Sequence, residues 1–143
     1  PVPRKKNIKQ QQKNPKQKTT IVLGDSMVKH PKGLDIGKAI GHRVVVKASF
    51  LGARTSDMVH YSKPSILQEP DQIILHCGTN DLHNSGPEAV ANRIVDLAQE
   101  VKSSTEANVV ISELVCRSDP AKNEKVRGTN VLLARLCKQK TCM

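Results

Sequence analysis

A serine, a lone glycine and an asparagine stand in short polar clusters that could together carry out acyl transfer. Ser26 follows Gly24 and Asp25, and a serine hydroxyl acts as a nucleophile once a base removes its proton. Gly52 has no side chain, so its backbone N–H can approach a substrate closely, and Asn80 carries an amide donor. With the Ser26 N–H, these groups supply three donors for the negative charge that develops on a carbonyl oxygen.

The chain around these clusters alternates short β-branched runs with helical patterns, which is typical of a parallel sheet with crossover helices. Four strands are predicted, and each consists mostly of valine, isoleucine and leucine; they lie at 20–23, 43–49, 72–77 and 108–114. Continuous apolar runs indicate strands covered on both faces. We therefore expect an α/β fold, a three-layer α/β/α sandwich with a parallel sheet of the flavodoxin-like kind. The polar clusters follow the first three runs, at the carboxyl ends where functional groups gather in such sheets.

Helices are predicted between and after these strands. The clearest begins at Pro87 and places apolar residues on one face, namely Val90, Ile94, Leu97, Ala98 and Val101. A second pattern covers about 54–68, where Pro64 should kink or restart the helix. The last covers about 123–138, with a stripe formed by Val126, Leu133, Leu136 and Cys137. A helical segment is also expected soon after Ser26, where its first N–H groups would favour negative charge.

Each polar cluster taken alone has a simpler explanation. Gly-Asp-Ser is most often a turn with a helix cap, and a single glycine such as Gly52 is most often a turn residue. The run from Gly78 through Thr79 and Asn80 to Asp81 would by itself be a loop. The three clusters in order, each at a predicted strand end, favour the functional interpretation.

The motifs Ile-Val-Leu-Gly-Asp-Ser, a lone Gly after the second strand and His-Cys-Gly-Thr-Asn-Asp resemble the first three sequence blocks of the SGNH hydrolases, over about residues 20 to 115. The resemblance implies a serine esterase that needs no cofactor. Ser26 would be the nucleophile, while Gly52 and Asn80 would complete the oxyanion hole. The supporting residues of the same blocks would be Gly24, Asp25, Gly78, Thr79 and Asp81.

The chain lacks the motif that carries the catalytic base in this family. In the family it is a His preceded three residues earlier by an Asp, but no D-x-x-H motif occurs after residue 115, and the last histidine is His83. We therefore expect this chain to be inactive or nearly so. His83 follows the third cluster, and His30 lies about one helical turn beyond Ser26, so either could substitute, although such residues are more often solvated.

Other polar residues and the end of the chain have structural explanations. His76 lies within a predicted strand and is expected in the core, while Asp25 and Asp81 should brace their loops, because no second carboxylate is placed to shift either pKa. Only residues 139–143 follow the last predicted helix. These are too few for a fifth strand and closing helix, so we expect the domain to lack both.

Net charge and composition divide the 143 residues into a tail and one domain. Residues 1–19 hold seven basic side chains and no acid, which accounts for +7 of the formal net charge of +10. This segment is too polar to bury a core, so we predict a disordered tail followed by a domain at 20–143. Residues 1–18 could attract nucleic acid through counterion release, or could equally be a solvated linker. Oligomeric state cannot be predicted.

Cysteine spacing and hydropathy limit the remaining classes. The four cysteines, Cys77, Cys116, Cys137 and Cys142, show neither a C-x-x-C pair nor zinc-finger spacing, so no metal site is expected. Cys77 and Cys116 end apolar runs, where free thiols behave as small hydrophobes. An intracellular, cytoplasmic setting follows as the simplest expectation. No apolar run is long enough to span a membrane.

Three longer stretches, around Leu23–Val28, Lys47–Met58 and Ile74–Leu82, resemble the SGNH domains of invertebrate sequences related to LINE-type retrotransposons. In those elements an esterase-like domain can occur in the first-open-reading-frame protein, whose basic regions bind RNA. This resemblance implies an alternative function, a non-catalytic RNA-associated or interaction protein that uses the basic tail.

Overall fold

Four parallel strands form the single sheet of the chain, for which a computed structural model describes residues 17–25, 32–48, 53–116 and 118–140. The strands are β1 (Thr19–Gly24), β2 (Arg43–Ala48), β3 (Gln72–His76) and β4 (Asn108–Ile111), in the spatial order β2-β1-β3-β4. Four helices connect or follow them: α1 (Gly33–Ile40), α2 (Thr55–Leu67), α3 (Pro87–Ser103) and α4 (Pro120–Lys140). The predicted α/β fold with a parallel sheet is confirmed. Residues 1–16 of the predicted tail lie outside the described residues.

The strand order explains the layers. The chain passes from β1 outward to β2, and then back across β1 to β3 and β4. Connections between parallel strands are right-handed, so the change of direction places α1 on one face of the sheet and the later helices on the other. α2, α3 and α4 pack side by side on that second face. On the first face α1 approaches β2 closely, since a Cβ atom added to Gly33 would meet the Val44 carbonyl oxygen at 2.4 Å.

The core lies between the sheet and the helices α2 and α3. Alternate residues of β1 and β3 point into it, and Met58 of α2 meets them there; these strand residues are Ile21, Leu23, Ile73 and Leu75. The apolar face predicted for α3 is confirmed, because Val90, Ile94, Leu97, Ala98 and Val101 are all buried. A second cluster joins α3 to α4 through Val126 and Leu133, as the predicted stripe requires. None of the described helices is both long and apolar enough to cross a membrane.

The fourth strand is shorter than predicted. It ends at Ile111, whereas the apolar run extends to Leu114. Ser112 still donates its N–H to the Leu75 carbonyl at 2.8 Å, but the side chain of Asn130 in α4 takes both backbone groups of Leu114. The Leu114 N–H donates to Asn130 Oδ1 at 2.8 Å, and Asn130 Nδ2 donates to the Leu114 carbonyl at 3.0 Å. The chain therefore leaves the sheet to meet α4. Cys116, which ends this apolar run in the sequence, is exposed.

Replacing Asn130 by Asp should destabilise the domain by about 2 kcal/mol. The change keeps the shape but turns the donor into an oxygen, which would face the Leu114 carbonyl. Urea denaturation followed by far-UV circular dichroism would measure the loss. Asn92→Asp on the exposed side of α3 is the matched control and should change stability by less than about 0.5 kcal/mol. Equal effects of the two substitutions would show that Asn130 does not anchor the loop.

Two helices differ from their predicted form. α2 continues through Pro64 as one helix, so of the two predicted effects, a kink or a restart, the restart does not occur. Pro64 and His60, whose carbonyl loses its helical N–H partner, are both exposed to water. α4 begins at Pro120 rather than at 123, because Asp119 caps its first turn. The Asp119 carboxylate accepts from the Ala121 N–H at 3.0 Å, which allows the helix to start earlier.

Asp71, directly before β3, connects three strands at the amino end of the sheet. Its N–H donates to the Thr19 carbonyl at 2.9 Å, and its carboxylate accepts from the Thr19 N–H at 2.7 Å. Its own carbonyl accepts from the Asn108 N–H at 3.0 Å. The starts of β1, β3 and β4 are thereby aligned, and the strands reach the opposite edge together.

Candidate active site

The three predicted clusters follow the carboxyl ends of three neighbouring strands. Gly24 at the end of β1 is in register with Ala48 of β2 and with His76 of β3. Ser26 and Gly52 themselves, two and four residues beyond their strands, lie outside the described residues. The first described helix after Ser26 begins only at Gly33, and 26–31 are likewise outside the described part. Of the three residues predicted to take part in the reaction, Asn80 is the one that the structure describes.

Asn80 and Asp81 attach the loop after β3 to the segment that follows Gly52. Asn80 Nδ2 donates to the Ala53 carbonyl at 2.8 Å. The next side chain, Asp81, accepts the N–H of Thr55 at 3.1 Å and so caps the start of α2. Asp81 is 3% exposed. These two bonds hold residue 53, the neighbour of Gly52, against the predicted oxyanion donor.

The Asn80 amide has more donor capacity than this bond uses. A side-chain amide carries two N–H donors, and within the described residues Asn80 Nδ2 makes a single hydrogen bond, to Ala53. Asn80 is half-buried rather than enclosed. One N–H therefore fixes the amide in place, and the second can donate to a ligand. A donor that is already oriented stabilises a developing oxyanion without reorganising when the reaction occurs.

A buried thiol lies beneath this edge of the sheet. Cys77 follows β3 and is 2% exposed, as its predicted hydrophobic character requires. The pKa of the Cys77 thiol is raised from 9.0 to about 12, first by burial and then by the nearby carboxylates of Asp25 and Asp81. Asp25 is itself 1% exposed. Because the thiolate is the reactive form, Cys77 is a packing residue and not a nucleophile.

The raised pKa of Cys77 should make stability depend on alkaline pH. The unfolded thiol loses its proton near pH 9 while the folded one keeps it, so its contribution is complete below pH 9 and is lost as pH rises toward 12. Within that window the free energy of unfolding should fall by about 1.4 kcal/mol per pH unit. Urea denaturation of the native chain and of Cys77→Ala, each at pH 8.0 and at pH 10.5, would isolate the contribution of the thiol to the free energy of unfolding. A constant difference between the two proteins would contradict it.

Gly78 sets the course of the loop that carries Asn80. Its φ of 116° is a conformation that side chains rarely adopt, and a Cβ atom there would lie 2.6 Å from Ile94 Cδ1 of α3. The chain therefore turns sharply against α3 directly after Cys77. Thr79, the next residue, is 8% exposed, and the short 3-10 turn at Asp81–His83 follows.

The described histidines are dispersed. His76 is 8% exposed, and its Nδ1 lies 3.0 Å from Ser112 Oγ, which agrees with its predicted place in the core. His83 is exposed at the end of the 3-10 turn, and His30 lies outside the described residues. In the described part of the chain, no histidine ring makes a hydrogen bond to Asn80 or Asp81.

Beside Asn80 lies a cavity that the sequence interpretation missed. It has a volume of about 240 Å³ and lies between the loop after β3 and the start of α4. Thr79, Leu82 and His83 line one side, and the other side includes Lys122 and Lys125. The sequence did carry a signal for this cavity wall, because residues three apart such as these two lysines lie on the same face of a helix. The predicted helix began at 123, however, and so did not include Lys122.

Nothing in the described ranges resembles a metal site, since no group of three or more His, Cys, Asp or Glu side chains is placed to hold an ion. The donors at the described edge include the Asn80 amide, the Thr79 hydroxyl and the ammonium groups of Lys122 and Lys125.

No protein-family model matches the chain, and comparison with curated proteins finds no match. Solved structures do match it. A protein assigned to the lipolytic G-D-S-L family from Desulfitobacterium hafniense aligns with a TM-score of 0.72 at 13% identity, over 89% of this chain and 75% of that one. A member of the same family from Veillonella parvula aligns with a TM-score of 0.67 at 22% identity, over 86% and 74%.

The esterase EstA from Pseudoalteromonas sp., whose structure contains the inhibitor monoethylphosphonate, aligns with a TM-score of 0.62 at 14% identity, over 88% of this chain and 75% of that one. These alignments and the parallel strand order agree on one architecture. The chain therefore has the α/β fold of the G-D-S-L, or SGNH, lipolytic hydrolases.

Proposed function

We propose that the chain is an SGNH-type serine ester hydrolase domain that acts on acyl esters through Ser26. The observation that supports this most strongly is the bond from Asn80 Nδ2 to the Ala53 carbonyl at 2.8 Å. It fixes an amide donor against Ala53, the residue that follows Gly52 in the chain, beyond the carboxyl ends of the strands, of which β1 leads toward Ser26. A catalytic serine with two neighbouring donors is the arrangement that acyl transfer requires.

In the proposed reaction the Ser26 oxygen attacks the ester carbonyl carbon, and Gly52 and Asn80 donate to the resulting oxyanion. The bond to the leaving alcohol then breaks and leaves an acyl group on Ser26, which water hydrolyses. A base must take the proton from Ser26 and give it to the leaving alcohol, and must then take a proton from water and return it to Ser26. Because no D-x-x-H motif follows residue 115, the 143 residues should turn over slowly or not at all.

Ser26→Ala tests the proposal. Any hydrolysis of a 4-nitrophenyl acetate solution above that of buffer should disappear in this variant and persist in Ser56→Ala, an exposed serine at the start of α2. If turnover is too slow, reaction with an activated ethylphosphonate ester followed by intact mass measurement would detect a single modified Ser26. Equal hydrolysis or labelling in Ser26→Ala would reject the assignment.

A second proposal, that the chain associates with RNA, rests on its basic tail. Residues 1–19 carry seven positive charges and no negative ones, and they lack aromatic residues for base stacking. Binding should therefore be independent of sequence and weaken steeply with salt. Deleting residues 1–18 and measuring RNA affinity from 50 to 300 mM salt would test this. Unchanged affinity and salt slope would remove the tail from any such role.

A further inference from the structure

We propose that the cavity beside Asn80 binds a carboxylate on a small ester, and that Lys122 and Lys125 select for its negative charge. This inference rests on the proposed function, because it places the ester carbonyl at Asn80. Thr79, Leu82 and His83, which lie on either side of Asn80 in the chain, all line the cavity. The loop that carries the predicted oxyanion donor therefore forms one wall of the cavity, and the inference takes one small molecule to span both.

The charge facing the cavity is positive overall. Lys122 and Lys125 contribute two ammonium groups, and Asp119 is the acidic residue in the lining. The Asp119 carboxylate is already occupied, because its Oδ1 accepts the N–H groups of Ala121 at 3.0 Å and of Lys122 at 3.5 Å. Its charge is directed to the start of α4, while the ammonium groups are left to interact with a ligand.

Lys125 is held at the cavity wall. Its Nζ donates to the Leu82 carbonyl at 3.4 Å, and two further ammonium hydrogens remain for a ligand. Thr79 adds a hydroxyl group that makes no hydrogen bond within the described residues, although its side chain is only 8% exposed. A carboxylate has four lone-pair directions and can accept from hydroxyl and ammonium donors together.

The remaining walls limit the size of the ligand. Leu82, Ala121 and Val126 are apolar, and the volume of about 240 Å³ is below the ~300–1,000 Å³ typical of pockets for drug-sized ligands. A short methylene chain that ends in a carboxylate matches these walls and this charge. A long acyl chain exceeds the space. The geometry therefore favours half-esters of small dicarboxylic acids over fatty esters.

Monomethyl succinate and methyl 4-oxopentanoate form a matched pair of ligands, because they differ in a carboxylate replaced by an acetyl group. NMR titration of the full chain at pH 8 would give both affinities. Repeating it on Ser26→Ala separates binding from hydrolysis. Two variants complete the design: Lys122→Gln with Lys125→Gln, and as control Lys138→Gln, about 20 Å further along α4.

We expect monomethyl succinate to bind about three- to tenfold more tightly, as partly exposed ion pairs allow, and to shift the signals of Thr79, Leu82 and Val126. The double substitution should remove the preference, and Lys138→Gln should retain it. Equal affinities, absence of binding, or a preference that survives the double substitution would each overturn the inference. If hydrolysis did not depend on Ser26, the proposed function would be rejected, but the measured preference for the carboxylate would still stand.

Discussion

Gly78→Ala should lower the free energy of unfolding by about 3 kcal/mol. Two costs combine at this position. Alanine is strained at a φ of 116°, and its Cβ atom would lie 2.6 Å from Ile94 Cδ1, inside the packed contact between the loop and α3. Ile94 is 1% exposed and has little room to move. The loss should appear in urea denaturation followed by far-UV circular dichroism, which suits a chain without tryptophan.

Gly86→Ala provides the control for this prediction. Gly86 precedes α3 with a φ of −78°, and a Cβ atom there would meet nothing within 4 Å. Its cost should remain below about 1 kcal/mol, the usual effect of changing a helix cap from glycine to alanine. If both substitutions cost the same, the loop does not need the backbone conformation of Gly78.

Asn80→Asp should reduce any Ser26-dependent reaction by about 100- to 1,000-fold, the usual effect of removing one oxyanion donor. The substitution keeps the shape of the side chain but replaces both N–H donors with an oxygen. That oxygen would face the Ala53 carbonyl, now 2.8 Å from Nδ2, and would repel a developing oxyanion. Unfolding should also become easier, by about 1–3 kcal/mol, because the Ala53 carbonyl loses its donor.

Asn84→Asp is the matched control for Asn80→Asp. Asn84 is exposed on the same loop, and its side-chain oxygen, once the amide is oriented to satisfy its neighbours, accepts from Arg54 Nη2 at 2.7 Å. Aspartate retains that acceptor and loses only an exposed bond from the amide nitrogen to the His83 carbonyl at 3.3 Å, so rate and stability should change much less than in Asn80→Asp. Hydrolysis or phosphonate labelling of Ser26, corrected for the fraction folded, is the measurement. An Asn80→Asp rate equal to that of Asn84→Asp would exclude Asn80 from the oxyanion site.

The sheet was predictable from the sequence because its strands are apolar on both faces. For β1, β2 and β3 the predicted bounds agree with the observed ones to within about one residue where the chain is described. The end of β4 was not predictable, because it depends on Asn130, a side chain 16 residues from Leu114. No local pattern indicates that a distant amide will take the backbone groups of Leu114. The earlier start of α4 has a local cause instead, because Asp119 accepts the N–H of Ala121 two residues further on.

The candidate site was predictable to the level of its strand ends but not of its contacts. Motif order placed Ser26, Gly52 and Asn80 after three strands, and those strands are neighbours in the sheet. The bond from Asn80 to Ala53 and the cap that Asp81 gives α2 join residues 26 or more positions apart, so the sequence could not reveal them. Roles for Ser26 and Gly52 stay predictions, because both lie outside the described residues.

The hydrogen bonds of Asp71 have a kinetic consequence. They join β3 to β1 across 52 positions of sequence, and β1, the strand that leads to Ser26, has both of its partners far away along the chain. A fold with such high contact order must close large loops before any pairing stabilises it, so folding should take milliseconds or longer. An emerging chain that has not yet produced β3 would carry Ser26 and Gly52 without their third donor. The candidate site is thus assembled only once β3 pairs with β1, and a chain that has not yet produced β3 cannot present it.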